Sequence, residues 1–401
     1  MTVRFGPELD LTIACCRWPR SPERDEAIRA AAARVTDWAL FERIVARHRV
    51  MPLVRDGLSC GGIELPAALE RRFGERAAEC AIVGLAMARE SVRLQRAFGD
   101  AGLPALVIKG IPLAILAYGD VGLKQSWDID LLTSPDALPE ARALLQALGY
   151  EMTEPTRLTP AQFDRFVQHA MEAVYVHHAL GLTVELHWRV ALNKLLLPGV
   201  DANSPSQAVR AAGAELRTFD DEILFAYVCV HGAQHAWARL KWLADLAALL
   251  AVRGPAEVER LYRRAVDLGA GRTPAVALLL CWRLFGVPLS PPLLAELRRD
   301  RFVRLIEAIA LGSINDPGEM SEALVSPPVG LRWCSLFLVP GPAYVRAQAR
   351  VIWNIPFERA RFGGPPFALA FHLLRIPLWL GRLAKRARHR FARQGARAVV
   401  D

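Results

Sequence analysis

The sequence has few features of an exported or membrane-spanning protein. No run of 18 or more apolar residues occurs in its 401 residues, which argues against a transmembrane helix. The start, MTVRFGPELD, lacks a charged region followed by an apolar run, so we expect no secretory signal. The seven cysteines are scattered and include no C-x-x-C pair, a pattern typical of reduced thiols. We therefore expect a cytoplasmic protein.

Excess charge is missing from most of the chain. The formal net charge is +9, but the segment from Arg375 to Asp401 holds eight basic residues and one acid, so the rest carries only +2. This near-neutral body argues against nucleic acid as a partner and against an RNA-modifying enzyme, which would need a basic groove. The tail joins an apolar stretch around Trp379 to the basic run, which favours peripheral contact with an anionic membrane. A docked helix with a solvated basic end is the alternative.

The chain also lacks internal repeats and low-complexity linkers, so its organisation is read from hydrophobic spacing. Residues 1–102 are predicted as an N-terminal helical region, with helical spacing from Trp38 onward. Residues 103–195 alternate strands and helices, and residues 196–300 are predicted as a helical domain lining a cleft, with a continuous helical pattern from Asp220. Residues 301–401 are predicted as a C-terminal helical region with the basic tail. The predicted fold class is α+β, a small mixed β-sheet core embedded in a largely helical chain.

The predicted core contains three groups of strands. An apolar strand from Ala105 to Ile108 stops at the pair Lys109-Gly110, before the helical pattern IPLAILAYG. A second strand lies in WDIDLLT. The segment AVYVHHALGLTVELHWRV is typical of two strands joined in a hairpin at Gly181.

Acidic residues in these strands predict a metal site. Residues two apart on a strand project from one face, so Asp128 and Asp130 present their carboxylates together while Ile129 points into the core. Mg²⁺ favours such oxygen ligands. Glu185 has the same apolar, acid, apolar pattern and is the predicted third carboxylate, because two-metal phosphoryl chemistry needs shared acidic ligands.

Other residues favour a phosphate site beside these acids. A glycine at a helix start lets backbone N–H groups approach phosphate, and Lys109 can neutralise it with help from Lys124. His187 shares the strand face of Glu185, where it could tune that carboxylate or contact phosphate. A structural role is the alternative. His231 and His235 lie four apart on one helical face. This spacing could make a metal pair, but no acid follows His231 as a zinc-protease motif requires, and core histidines are the alternative.

The order of these motifs resembles the polymerase-beta type of nucleotidyltransferase, and more closely a bacterial family of uncharacterised nucleotidyltransferases. The resemblance covers roughly residues 35 to 255. It rests on the stretches RHRVMPLV, ALVIKGIPLAILAYGD, DIDLL, VELHWRV and HGAQHAWARLKWLADLAALL. Two departures concern the nucleotide: Ile111 follows Gly110 where a serine is usual, and Lys124 stands where an arginine is common.

The resemblance implies an enzyme that uses Mg²⁺ or Mn²⁺ to transfer a nucleoside monophosphate from an NTP to a hydroxyl or phosphate acceptor. A small peptide or a sugar is the acceptor that it suggests. The implied metal-binding and catalytic residues are Asp128, Asp130 and Glu185. The implied nucleotide-binding residues are Lys109, Gly110, Lys124, Ser126, His187, His231, His235 and Arg239. The resemblance also implies that His231, His235, Arg239 and Asp245 line the cleft opposite Glu185. The alternative is a catalytically inactive nucleotide-binding accessory protein with the same fold.

Overall fold

The computed structural model describes residues 5–316, 333–354 and 356–362. The basic tail, for which membrane contact is predicted, lies outside these residues. Within them the fold is α+β, as predicted, with a small mixed sheet among many helices. No helix in the described ranges combines the length and the apolar character that a membrane span requires.

Helices dominate the chain before the sheet. Five are described there: α1 (Pro7–Cys15), α2 (Pro22–Ala32), α3 (Trp38–His48), α4 (Met51–Gly61) and α5 (Ala67–Asp100). The helix α3 begins where Asp37 accepts a hydrogen bond from the backbone N–H of Leu40. It ends at Arg49, whose φ of 54° is left-handed, and α4 begins two residues later. The predicted helical spacing after Trp38 is therefore interrupted at Arg49.

The central sheet is mixed, as predicted. Its five described strands are β1 (Leu106–Val107), β2 (Ile129–Leu132), β3 (Glu151–Glu154), β4 (Glu172–His177) and β5 (Leu182–His187). Their spatial order is β1-β2-β5-β4-β3. The neighbours β2 and β5 run parallel, whereas the other neighbouring pairs are antiparallel. The strands β4 and β5 form the predicted hairpin, and β1 is shorter than the predicted strand.

Three short helices alternate with these strands: α6 (Ile111–Tyr118), α7 (Leu138–Ala147) and α8 (Pro160–His169). The helix α6 follows β1 directly through Gly110, whose φ of +68° suits glycine. The backbone N–H of Ile108 donates to the carbonyl of Asp130 at 3.1 Å. This bond ties the approach to Gly110 to the strand that carries Asp130.

The chain after the sheet forms a hairpin and then returns to helix. Sequence analysis assigns no strand to the hairpin of β6 (Ser206–Ala211) and β7 (Ala214–Phe219). Six helices are described between residues 220 and 316: α9 (Asp221–Gln234), α10 (Leu240–Leu250), α11 (Pro255–Asp267), α12 (Thr273–Phe285), α13 (Pro291–Leu297) and α14 (Arg301–Asn315). Much of α9, α10 and α12 is buried in the apolar core.

The continuous helix predicted from Asp220 is wrong at residues 235–239, which we call the α9–α10 junction. Ala236 and Trp237 have φ values of 52° and 47°, a left-handed conformation that is strained for residues other than glycine. Trp237 packs closely on Gly232, where an added Cβ would lie 2.6 Å from the indole Nε1. The backbone N–H of Leu240 donates to His48 Nδ1 at 3.1 Å, which fixes the start of α10.

The described chain divides into two compact units. The first contains residues 5–154, 171–316 and 333–352, with both sheets and most of α15 (Pro342–Trp353). The second contains α8 and α16 (Pro356–Phe362), and within it Arg165 Nε donates to the carbonyl of Ala360 at 3.2 Å. All site residues discussed below belong to the first unit.

Candidate active site

One face of the central sheet carries a group of carboxyl side chains, which we call the acidic face. Its members are Asp128, Asp130, Glu172 and Glu185. Asp130 lies directly opposite Glu185 because β2 and β5 are parallel neighbours, and Glu172 lies opposite His187 across β4 and β5. Strand partners project to the same side, so the pairing of three strands brings these groups together.

His187 contacts three of these carboxyl groups. Its Nε2 lies 3.1 Å from Asp130 Oδ1 and 3.5 Å from Glu185 Oε2, and its Nδ1 lies 3.2 Å from Glu172 Oε2. Burial would lower the pKa of His187, yet the charges of Glu172, Asp130 and Glu185 raise it to about 10. His187 therefore holds the carboxyl groups of Asp130, Glu172 and Glu185 in position relative to one another.

Lys109 reaches the acidic face from the segment between β1 and α6. Its ammonium group forms an ion pair with Asp130 and lies 3.7 Å from Glu185 Oε2 and 4.0 Å from Asp128 Oδ1. Burial alone would lower the pKa of Lys109, but Asp130, Asp128 and Glu185 hold it well above its ordinary value. Lys109 is thus a charged counter-ion to three acids at once.

Burial also acts on the carboxyl groups themselves. It raises the pKa of Asp130 and of Glu172 above the ordinary range. Burial would do the same to Glu185, but its contacts with His187 and Lys109 hold the pKa of that carboxyl well below its usual value. Glu185 is therefore ionised. Burial and the neighbouring carboxylates favour the protonated forms of Asp130 and Glu172.

The residues of this face fit a divalent cation. Asp130, Glu185 and His187 offer ligand atoms that lie within 4.8 Å of one another. The second carboxylate oxygen of Asp130, Oδ2, is buried and accepts no hydrogen bond from any described residue. Four carboxyl groups here exceed the two cationic side chains, Lys109 and His187, that contact them in the described chain. Oxygen-rich, anionic sites of this kind suit Mg²⁺ and Mn²⁺.

Aromatic side chains line the opposite side of the cavity. The ring of His235 stacks on Trp242 with centroids 4.6 Å apart and an interplanar angle of 13°, and His231 packs edge-on to His235 at 4.8 Å. Desolvation by the surrounding protein, with Lys109 and Lys241 nearby, lowers the pKa of His231 well below its ordinary value and that of His235 to about 3, although part of the His235 side chain is open to solvent. Both imidazoles are neutral near pH 7.

Cations complete this second side. Lys124 forms an ion pair with Asp245, which also accepts a hydrogen bond of 3.0 Å from the Tyr118 hydroxyl. Arg239 and Lys241 flank the start of α10 and face the same cavity. Burial, with Lys124 and Arg49 nearby, lowers the pKa of Lys241 to about 7. The second side is therefore positive where the acidic face is negative.

The two sides enclose one cavity of about 450 Å³, a volume in the range of small-ligand sites. Ser126 and Gly110 lie at its edge, and the buried hydroxyl of Ser126 has no hydrogen-bond partner among the described residues. The arrangement offers a site for a metal on one side and for an anionic, ring-bearing ligand on the other.

A family model described as an uncharacterised nucleotidyltransferase matches residues 34–286. This match spans more than half of the chain and the whole cavity. The chain belongs to this family. It is a nucleotidyltransferase whose acceptor the family does not specify, as the sequence analysis predicted. Comparison with curated proteins gives no match.

All of the predicted site residues of this nucleotidyltransferase line the one cavity. They are Lys109, Gly110, Lys124, Ser126, Asp128, Asp130, Glu185, His187, His231, His235 and Arg239. Their individual roles stay predictions. Two contacts were not predicted. His187 contacts Asp130 as well as Glu185, and Lys124 forms an ion pair with Asp245.

Several cavity residues of the nucleotidyltransferase escaped sequence analysis. Glu172 lies opposite His187 in the hairpin, so counting back from the turn at Gly181 would have found it. Arg49 lies within the stretch RHRVMPLV, which matched only by resemblance. Lys241 and Trp242 have no motif of their own. They reach the cavity only because the α9–α10 junction interrupts the helix.

Proposed function

We propose that this nucleotidyltransferase transfers a nucleoside monophosphate from an NTP to a hydroxyl or phosphate group of a small acceptor, with Mg²⁺ or Mn²⁺ as cofactor. The observation that carries the proposal is the pairing of Asp130 with Glu185 across parallel strands, with Asp128 beside them, in a cavity whose far side is cationic. A peptide or sugar acceptor is part of the proposal through the family resemblance.

Three carboxylates are the proposed metal ligands: Asp128, Asp130 and Glu185. The buried free oxygen of Asp130 supports this role, because it leaves a strong acceptor available in a water-poor site. A bound divalent cation supplies charge neutralisation for the phosphates and polarises the reacting phosphoryl group. His187 holds Asp130, and Glu172 holds His187 on its other nitrogen.

The proposed reaction is a displacement at the α-phosphorus of the NTP. The acceptor oxygen attacks the α-phosphorus, the new P–O bond forms, and the bond from the α-phosphorus to the bridging oxygen of the β-phosphate breaks. Pyrophosphate leaves with the electron pair of that bond. The acceptor proton passes to the ionised carboxylate of Glu185, which also orients the acceptor hydroxyl.

Incubation with α-labelled NTPs and Mg²⁺ or Mn²⁺ tests the proposal. We expect metal-dependent release of pyrophosphate and transfer of label to an acceptor supplied as a panel of small peptides, sugars and sugar phosphates. The variant Asp130→Asn is the matched control, since it keeps the size of the side chain and removes its charge. Transfer that persists in this variant, or that needs no metal, would refute the proposed mechanism.

A non-catalytic nucleotide-binding protein is the second candidate. One observation favours it: the Lys109 ammonium group already contacts three acids of the proposed metal site. Ile111, which follows Gly110 in place of the usual serine, points the same way. Binding of NTP without pyrophosphate release across the acceptor panel would support this candidate.

The proposed location is the cytoplasm, which the seven free thiols of the chain support. Peripheral membrane contact through the basic tail stays a prediction. Co-sedimentation with anionic liposomes, with and without residues 382–401, tests it. Equal sedimentation of the two chains would contradict it.

A further inference from the structure

Lysine is rare in this chain, and its placement is uneven. The sequence has five lysines among 50 basic residues. Three of them, Lys109, Lys124 and Lys241, line the cavity. A lysine ammonium binds phosphate oxygens as a compact point charge, and arginine binds them with two parallel N–H donors. Lys109 and Lys124 form ion pairs with carboxylates, whereas Lys241 forms none with the residues that the structure describes.

Lys241 lies in a positive environment. Among the residues that the structure describes, none forms an ion pair with it, and its ammonium group lies 5.6 Å from the centre of the Trp242 ring. The charges that act most on it are those of Lys124 and Arg49, both cations, followed by Asp128 and then by Lys109. Burial lowers the pKa of Lys241 most, and the like charges of Lys124 and Arg49 lower it further.

Arg239 is in a similar position. Its Nε is buried and has no hydrogen-bond partner in the described chain. Burial, together with Arg49 and Arg47, lowers the pKa of its guanidinium to about 10. Arg49 is the cation that acts on both Arg239 and Lys241. These three side chains come from α3 and from the start of α10, outside the central sheet.

The loop that would bind phosphate in related folds is poorly equipped here. Gly110 is followed by Ile111, a buried apolar residue at 2% exposure, so no hydroxyl is available at that position. A half-buried cluster of cations is unfavourable unless an anion with several charges binds to it. The phosphate groups of a nucleotide carry such charge.

We infer that Arg49, Arg239 and Lys241 form a polyphosphate subsite, which holds the β- and γ-phosphates of the NTP and the pyrophosphate that leaves. This inference rests on the proposed function for the identity of the ligand. It assigns the phosphates to the helical wall of the cavity in place of the glycine loop. The same chemistry also suits a phosphate on the acceptor, in which case the variants below would leave NTP binding unchanged.

Titration calorimetry without metal, in the presence of EDTA, tests the subsite with inorganic pyrophosphate, tripolyphosphate, an NTP and the matching NMP. Lys241→Met and Arg239→Met should each weaken pyrophosphate and NTP binding about tenfold or more, because each removes a charge-assisted contact. NMP binding should stay within about twofold, since NMP lacks the outer phosphates. Lys241→Arg should keep most of the affinity, because it keeps the charge.

Lys194→Met is the matched control, because Lys194 is exposed and lies outside the cavity. It should leave all four ligands unaffected. Three outcomes overturn the inference: no binding of pyrophosphate to the unaltered protein, equal weakening of NTP and NMP, or unchanged NTP binding in Lys241→Met. The second outcome indicates that the cations bind the α-phosphate, and the third indicates that Lys241 binds the acceptor.

The proposed function and this subsite can fail separately. Lysine-dependent binding of pyrophosphate without any label transfer would leave the subsite standing and remove the transferase mechanism. Label transfer with the same KM for NTP in Lys241→Met and in the natural protein would support the transferase mechanism and remove the subsite. Circular dichroism of each variant verifies that the fold is retained.

Discussion

The variant Lys241→Met should stabilise the fold at low pH although it removes a proposed ligand contact. Methionine is unbranched like lysine, only one atom shorter, and carries no charge. In the folded protein the pKa of Lys241 falls from its ordinary 10.5 to about 7, so holding the ammonium form there is unfavourable. Removing the charge removes that cost.

The size of the effect follows from the difference between the two pKa values. At 1.36 kcal/mol for each unit of pKa, a difference of this size corresponds to roughly 5 kcal/mol. Lys241 is only partly buried, so solvent screens part of the cost, and we expect a gain of about 2–3 kcal/mol below pH 7.

The pH dependence has a fixed sign. Between about pH 7 and pH 10 the unfolded chain binds a proton at Lys241 that the folded chain does not, so the natural protein becomes more stable as the pH rises. The advantage of Lys241→Met is therefore largest below pH 7, falls to less than about half by pH 9 and vanishes above about pH 10. The groups that act most on Lys241 across the cavity are Lys124, Arg49, Asp128 and Lys109.

Urea unfolding at pH 6, 7.5 and 9, followed by circular dichroism, measures this difference. Lys241→Arg is the control that separates charge from shape, because arginine keeps its proton throughout this range and should give no gain. A methionine variant that is less stable than the natural protein at pH 6, or a gain that does not shrink with pH, would refute the reasoning.

Three further predictions concern the support of the site. Gly232→Ala should lower the free energy of unfolding by about 1–2 kcal/mol in urea, because its Cβ would meet the buried Trp237 and the helix propensity of alanine offsets only part of that clash; equal stability would contradict it. Glu172→Gln should slow label transfer about 10- to 100-fold with the fold unchanged, since Glu172 orients His187; an unchanged rate would exclude that role. Lys109→Met should tighten Mn²⁺ binding without nucleotide, measured by electron paramagnetic resonance, because it removes a cation from among three acids; weaker binding would show that Lys109 supports the metal site.

Much of the sheet could be predicted from sequence because its signals are local. The alternation in DIDLL and VELH sets which residues share a face, and the turn at Gly181 sets the hairpin register. The parallel pairing of β2 with β5 involves residues more than 50 positions apart. No local pattern specifies it, and the sequence analysis does not predict it. The family resemblance implied only that Glu185 joins Asp128 and Asp130.

The cationic side of the cavity could not be predicted in this way. Arg49 has a left-handed backbone, and so do Ala236 and Trp237, the residues just before Arg239 and Lys241. Helical spacing runs through both places, so periodicity predicts continuous helix. The interruptions depend on tertiary contacts, such as Trp237 on Gly232 and His48 on the start of α10. The helix propensities of the individual residues do not reflect such tertiary contacts.

The most direct test of the central claim is the binding of Mn²⁺ to the natural protein and to the double variant Asp128→Asn with Asp130→Asn. Electron paramagnetic resonance measures free Mn²⁺ and needs no knowledge of the acceptor. If these carboxylates form a divalent-metal site, the natural protein binds Mn²⁺ and the double variant has an at least tenfold lower affinity for it. The circular dichroism of the double variant should be unchanged. Equal Mn²⁺ affinity in the two proteins would contradict the account.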